Sequence, residues 1–220
     1  MHRISEPEIL YFGTPVVLIS TCNEDNSYNL APISSVFWLG WRAVIGIAGS
    51  SQTTKNLLRT GQCVLNLPSV NEVAAVNRLA RTTGTDPVPK GKLSKGYRFE
   101  ADKFDIAGLT PIESALVLPP RVKECPVQME TTVAAVHSLN AEDPLRKNNI
   151  YTVELLIKRV YLDDRILMDG NVNRVDPDKW KPLIMSFQQF YGLGARVHES
   201  TLSKIEETEY HSIDMDNARL

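Results

Sequence analysis

Arg42-Ala-Val-Ile-Gly-Ile-Ala-Gly-Ser-Ser-Gln-Thr-Thr-Lys-Asn56 is the stretch on which the architecture turns. Its first half is apolar at both alternating positions, and a strand of that kind is covered on both faces, as in a closed or packed sheet. After Gly49 the composition changes to hydroxyls, amides and one ammonium. Thr53 is the expected N-cap of a short helix over 54–60, with Gly61 as its stop. Free amides at that helix start, the hydroxyls of Ser50, Ser51, Thr53 and Thr54, and the Lys55 ammonium, in a stretch that also carries Gln52 and Asn56, converge where a phosphate can sit. The same residues equally describe an ordinary capped helix with a solvated lysine.

Working outward, 35–39 repeats the two-faced apolar pattern. A strand over 13–21 turns through Asn23-Glu-Asp-Asn-Ser27 into 28–31 as a hairpin. Downstream, Gln62-Cys-Val-Leu-Asn-Leu67 is a strand ended by Pro68. Val73, Val76, Leu79 and Ala80 then recur at helical spacing behind an Asn71 cap with Glu72 in the first turn. The Thr-, Gly-, Pro- and Lys-rich residues 81–95 form a connection longer than most loops, which suits either a cover over a ligand or a mobile excursion. A helical turn within 97–104, a long strand over 122–137 broken at Pro126, a polar hairpin loop over 141–148 and a strand over 150–162 pairing with it complete the pattern, followed by a buried segment over 181–191. Six to eight mostly antiparallel strands with two or three short helices make the chain mainly β: a β-barrel with short helices over 1–195 and a polar C-terminal tail over 196–220.

The 220 residues suit one domain, and a net charge of -2 without a basic run gives no footprint for nucleic acid or a membrane surface. Glu6, Pro7 and Glu8 interrupt the start of the chain where an export signal needs a basic and then an apolar segment. Cys22, Cys63 and Cys125 lack CxxC spacing and fit buried thiols in a reducing cytoplasm. Beside Glu124 the Cys125 thiol has its pKa raised, which opposes a nucleophilic role. No dinucleotide fingerprint, Walker loop, HExxH or GxSxG motif is present, and His2, His137, His198 and His211 lack ligand spacing. No catalytic side chain and no metal ligand set are assigned.

Pro15-Val-Val-Leu-Ile-Ser-Thr21, Asn29-Leu-Ala-Pro-Ile-Ser-Ser35, Thr54-Lys-Asn-Leu57, Val64-Leu-Asn-Leu67, Ala107-Gly-Leu-Thr-Pro111 and Glu124-Cys-Pro-Val127, in this order and spacing over about residues 10–195, resemble the flavin reductase-like family of FMN-binding split barrels. The resemblance implies a homodimer holding FMN, or the larger FAD, near the subunit interface, with NAD(P)H as reductant. It also implies that the turn of Ala31, Pro32, Ile33, Ser34 and Ser35 lies along the isoalloxazine and ribityl chain, while Ser50, Ser51, Gln52, Thr53, Thr54, Lys55 and Asn56 hold the phosphate. These two turns lie at opposite ends of the hairpin over 36–48. An isoalloxazine needs an apolar slot, backbone amides and an anion site for its tail, and Pro32, Ile33 and the amides of Ser34 and Ser35 suit the first two.

Trp38, Trp41 and Tyr191 are candidate stacking partners, although Trp38 at strand spacing is more at home in a core or an interface. Arg81, Lys90, Lys92 and Lys95 suit either a nicotinamide dinucleotide phosphate or a solvated loop. The function implied is a flavin-dependent oxidoreductase, with two alternatives: a non-catalytic flavin-binding electron carrier, or a barrel that binds another ligand such as haem or a deazaflavin.

Overall fold

The computed structural model describes residues 1–218. Strands β1 (Phe12–Pro15), β2 (Val17–Cys22), β3 (Tyr28–Ile33), β4 (Val36–Leu39) and β5 (Arg42–Ala48) lead into helix α1 (Gln52–Thr60) and β6 (Gln62–Leu67). Smaller elements follow: α2 (Val73–Leu79), β7 (Thr82–Thr83), α3 (Lys90–Leu93), β8 (Arg98–Phe99), α4 (Lys103–Ala107), β9 (Pro111–Ile112) and β10 (Arg121–Val122). The long strands β11 (Val127–Ser138) and β12 (Ile150–Leu162) come next. They precede β13 (Leu167–Met168), β14 (Asn171–Val175), β15 (Ile184–Ser186), β16 (Gln189–Tyr191) and α5 (Ile213–Ala218).

Seven strands form one antiparallel sheet in the order β3-β2-β6-β11-β12-β5-β4. Laid flat, its six strand spacings of about 4.8 Å would set the edges about 29 Å apart. Yet the edge strands β3 and β4 are consecutive in the chain, joined only by Ser34 and Ser35, and such a link spans at most about 11 Å. The sheet therefore rolls into a barrel. Among the described residues no ladder joins β3 to β4, so the barrel keeps a seam at this corner.

The two-faced apolar pattern of 35–39 and 42–48 is covered on one face only: Val36, Ala43, Ile45 and Ile47 enter the barrel core, whereas Phe37, Leu39 and Ala48 are exposed, because among the described residues no outer layer packs over β4 and β5. Strand β2 is covered on both faces. Val17 and Ile19 of β2 point into the barrel with Ala43, Ile45, Ile47, Leu65, Val153 and Leu155. Val16 and Leu18 point outward against Val76 and Leu79 of α2 and Phe104 and Ala107 of α4. One strand thus serves two cores, and α2 and α4 are the outer cover that its second apolar face requires. Trp38 packs against the barrel core. All three cysteines are buried free thiols. The Cys125 thiol is pushed well up by burial first and by Glu72 and Glu124 next.

Several local expectations shift. The N-cap of α1 is Ser51, not Thr53: Ser51 keeps an extended backbone (ψ 148°) and its Oγ accepts from the Thr54 amide at 3.1 Å, so the helix starts at Gln52. Gly61 ends it in the left-handed region at φ 65°, as expected. Ser69, not Asn71, caps the next helical segment: its Oγ accepts from Asn71 N while its own amide donates to Glu72 Oε2 at 2.7 Å, and a 3₁₀ turn leads into α2. Residues 81–95 are not a bare loop, because β7 pairs in parallel with β8 and α3 lies between them. The helical turn expected within 97–104 begins only at Lys103, where Asp102 caps α4 by accepting from Asp105 N. Beyond Arg196 the chain carries short helical turns, tied to β14 by the ion pair of Arg174 with Glu207 and to β5 of the barrel by that of Arg42 with Asp214. Among the described residues no helix is long and apolar enough to cross a membrane.

Candidate functional site

The antiparallel hairpin of β4 and β5 determines where the polar turns meet. Val36 pairs with Ile45, so the two ends of the hairpin return to one rim, and Gly46 N donates to Ser35 O at 2.8 Å. Residues 31–35 and the start of α1, far apart along the hairpin, thereby face one groove of about 690 Å³ at the seam, within the usual range of about 300–1,000 Å³ for small-molecule sites. Pro32 and Ile33 form its apolar strip together with Met185 and Phe190.

At the start of α1 the amides of Gln52 and Thr53 find no acceptor among the described residues, the condition that makes a helix N-terminus attractive to anions. The neighbouring side chains are held by a buried polar network. Asn29 Nδ2 donates to Thr53 Oγ1 at 3.0 Å and to Thr21 Oγ1 at 3.2 Å. Asn56 Nδ2 donates to Thr21 Oγ1 and Asn23 Oδ1, and Asn56 Oδ1 accepts from Gln52 Nε2 at 3.0 Å. Thr54 Oγ1 donates to Ala48 O at 2.8 Å. One atom of the network is left over: the buried Asn29 Oδ1 has no donor. Asn29 and Gly84 line the groove side by side, and a Cβ at Gly84 would lie 2.7 Å from Asn29 Oδ1 and 3.2 Å from Gln52 Cβ.

The twelve residues expected to bind a cofactor are therefore divided. Ala31, Pro32, Ile33, Ser34, Ser35, Ser51, Gln52 and Thr53 line the groove. Thr54 and Asn56 are buried and engaged within the chain. Ser50 is exposed, with its carbonyl accepting from Thr85 Oγ1 at 3.3 Å. Lys55 is exposed and lines, with Asn56, an adjoining groove of about 550 Å³ that shares Asn29, Gln52 and Gly84 with the first. Trp38, Trp41 and Tyr191 do not line the main groove, whose aromatic walls are Tyr11, Tyr97 and Phe190. Of the loop cations, Arg81 and Lys92 reach it and Lys90 and Lys95 do not.

The residue that sequence reasoning passed over is Lys103. It is 3% exposed in the first turn of α4, lines the groove, and has no hydrogen-bond or ion-pair partner among the described residues. Burial first and the neighbouring Lys92 next, against the pull of Glu100, bring its pKa down to about 8. Lys92, half-buried, donates to Thr83 Oγ1 at 3.2 Å and lies 5.6 Å from the Tyr97 ring centre, and burial lowers its pKa too. The available signal was helical phase: Lys103 shares the buried face of α4 with Phe104 and Ala107.

Comparison with known proteins agrees with this geometry. The flavin reductase like domain matches residues 9–194. An uncharacterised protein of Bacillus subtilis (strain 168), YdfE, is 33% identical over 199 residues, covering 90% of this chain and 93% of its own. Among solved structures, flavoredoxin of Desulfovibrio vulgaris (Miyazaki F) superposes with a TM-score of 0.73 at 18% identity, over 93% of this chain and 100% of its own. The FMN-binding domain of a flavin reductases-like enzyme from Shewanella baltica OS155 superposes with a TM-score of 0.60 at 16% identity, over 85% and 90%. The seamed barrel is the FMN-binding split-barrel fold.

Proposed function

The chain belongs to the flavin reductase-like domain family, and we propose that it is an FMN-binding oxidoreductase that takes reducing equivalents from NADH or NADPH and passes them onward. The observation that carries this reading is the unsatisfied Asn29 Oδ1, set in a groove whose other polar wall is the pair of free α1 amides. A buried acceptor without a donor is costly and calls for a ligand that donates, while the amides call for an anion. A ribityl phosphate offers both along one chain: hydroxyls for Asn29, and a phosphate for Gln52 and Thr53. Pro32 and Ile33 supply the apolar slot beside the backbone of Ser34 and Ser35.

Bound flavin would supply the redox chemistry, accepting hydride at N5 and releasing electrons singly or in pairs. The chain binds and orients: the apolar strip excludes water from one side, and the cations at the groove raise the local positive potential for anionic ligands. Residues 31–35 and 51–53 are the proposed contact set, with Lys55 adding positive charge from the adjoining groove. The exposed Phe37 and Leu39 of edge strand β4 support a homodimer by offering a second copy an apolar strip.

Purified protein titrated with FMN under anaerobic conditions, before and after NADH or NADPH, tests this reading. Bound flavin that bleaches on adding either nucleotide is expected. The superposition on a flavoredoxin favours a second reading, a carrier whose bound flavin is reduced by dithionite and by neither nucleotide.

A further inference from the structure

The hairpin of β15 and β16 carries a conformational cost that the fold explains only in part. Ser186 pairs with Gln189, so Phe187 and Gln188 alone make the turn, and both stand in the left-handed region, at φ 44° and 64°. A two-residue turn with positive φ at both positions is of type I′, in which Asn-Gly is favoured because other side chains crowd the backbone there. Phe187 has compensation within the chain: its amide donates to Tyr11 O at 2.9 Å, and its ring meets that of Phe12 edge-on with the centroids 4.9 Å apart. Gln188 has none. Among the described residues its side chain makes no hydrogen bond, and it lines the groove at the seam. Strain of this kind collects at ligand sites, where the position it gives a side chain has a use.

The place of Gln188 in the groove indicates that use. Met185 and Phe190 pair across the hairpin and border the strip of Pro32 and Ile33, the apolar slot of the flavin reading. Gln188 stands nearer the hairpin tip and is exposed, so it lies at the mouth of the groove, where a second molecule enters over a bound flavin. A nicotinamide dinucleotide presents there a ring with a primary carboxamide, one acceptor oxygen and two donor hydrogens. The Gln188 amide carries the same set and can meet it with two reciprocal hydrogen bonds.

We propose that Gln188 is the specificity residue for the second substrate, held by the strained turn so that its amide donates to the carboxamide oxygen of the nicotinamide ring and accepts from the carboxamide nitrogen. The inference rests on the flavin reading and adds to it a residue that contacts the reductant and not the cofactor.

The test uses FMN-loaded protein and whichever of NADH and NADPH bleaches it, beside the reduced 3-acetylpyridine analogue of that nucleotide, in which a methyl ketone replaces the carboxamide. Half-saturation of bleaching on wild type should need about two- to tenfold less natural nucleotide than analogue, the scale of one hydrogen bond. Gln188→Met, which keeps the length and the turn, and Gln188→Gly should both lose that discrimination, while FMN affinity read by fluorescence quenching stays as in wild type. Gln188→Gly alone also relieves the turn, and should raise the Tm of the flavin-free protein by about 2 °C or more, whereas Gln188→Met should not. The same discrimination in wild type and both variants, or FMN affinity that falls together with nucleotide affinity, overturns the assignment; a Gln188→Gly protein less stable than wild type overturns its premise of strain. Failure of the flavin reading is distinct: wild type then binds no FMN, or holds it unbleached by either nucleotide, and this inference falls with it.

Discussion

Replacing Lys103 with Met should make the flavin-free protein more stable. Burial, reinforced by Lys92 and opposed by Glu100, brings the Lys103 pKa from 10.5 to about 8. At about 1.4 kcal/mol per pH unit, holding the charge in the folded state costs about 3 kcal/mol near neutral pH. Methionine fills much the same space without a charge, and after relaxation and water entry are allowed for, a gain of about 1–3 kcal/mol is expected. For a chain of this size each kcal/mol raises Tm by about 2–4 °C. The sign follows from proton binding: with the folded pKa below the unfolded one, the unfolded chain holds more protons between pH 8 and 10.5. Wild-type stability therefore climbs with pH across that window, and the advantage of the variant shrinks. Urea unfolding of both flavin-free proteins at about pH 7 and about pH 10 measures this directly. A Met variant less stable than wild type at neutral pH, or a gap that does not narrow at high pH, would refute the assignment of Lys103 as an uncompensated buried cation.

Three further outcomes follow from the same geometry. Gly84→Ala places a methyl 2.7 Å from Asn29 Oδ1 and against Gln52; it should lower FMN affinity about tenfold or more and cost about 1–3 kcal/mol of stability, read by titration and urea unfolding. Lys55→Ala, from the adjoining groove, should weaken FMN by no more than about threefold, since exposed charges at that remove are screened; a loss of about tenfold or more would move the phosphate toward Lys55 and away from the Gln52 and Thr53 amides. The fully buried Glu130 accepts from the amides of Ala115 and Leu116 at 2.8 and 2.7 Å and from the Tyr161 hydroxyl at 2.9 Å. Glu130→Ala should therefore cost about 3–5 kcal/mol in urea unfolding, while the flavin affinity of the folded fraction stays unchanged because none of these groups lines the groove at the seam.

The barrel was legible where burial leaves a period in the sequence. Residues 17–19 are apolar at consecutive positions because β2 serves an inner and an outer core, whereas of 42–48 only Ala43, Ile45 and Ile47 enter a core, the inner one, and the strand over 150–162 was readable to its ends. Caps were less legible, since Ser51, Thr53, Ser69 and Asn71 are all competent and only the backbone at each decides which side chain reaches an amide. The site was half legible. Ser51, Gln52 and Thr53 announce a helix start, whereas Thr54, Lys55 and Asn56 belong to the same string but turn elsewhere as the helix rotates by about 100° per residue. Lys103 was passed over because a lysine is almost always solvated, and the helical phase it shares with Phe104 and Ala107 is a weak signal in a helix of five residues. The packing of α4 on the outer core, with Phe104 and Ala107 beside it, is what shows that this one is not.

The most direct measurement of the central claim is the stoichiometry and selectivity of flavin binding by the purified chain. One FMN bound per chain, more tightly than riboflavin, with flavin fluorescence quenched and absorbance bleached by NADH or NADPH, is the result predicted. Protein that leaves the fluorescence of FMN and riboflavin unchanged at every ratio would contradict the reading of the seam as a flavin site.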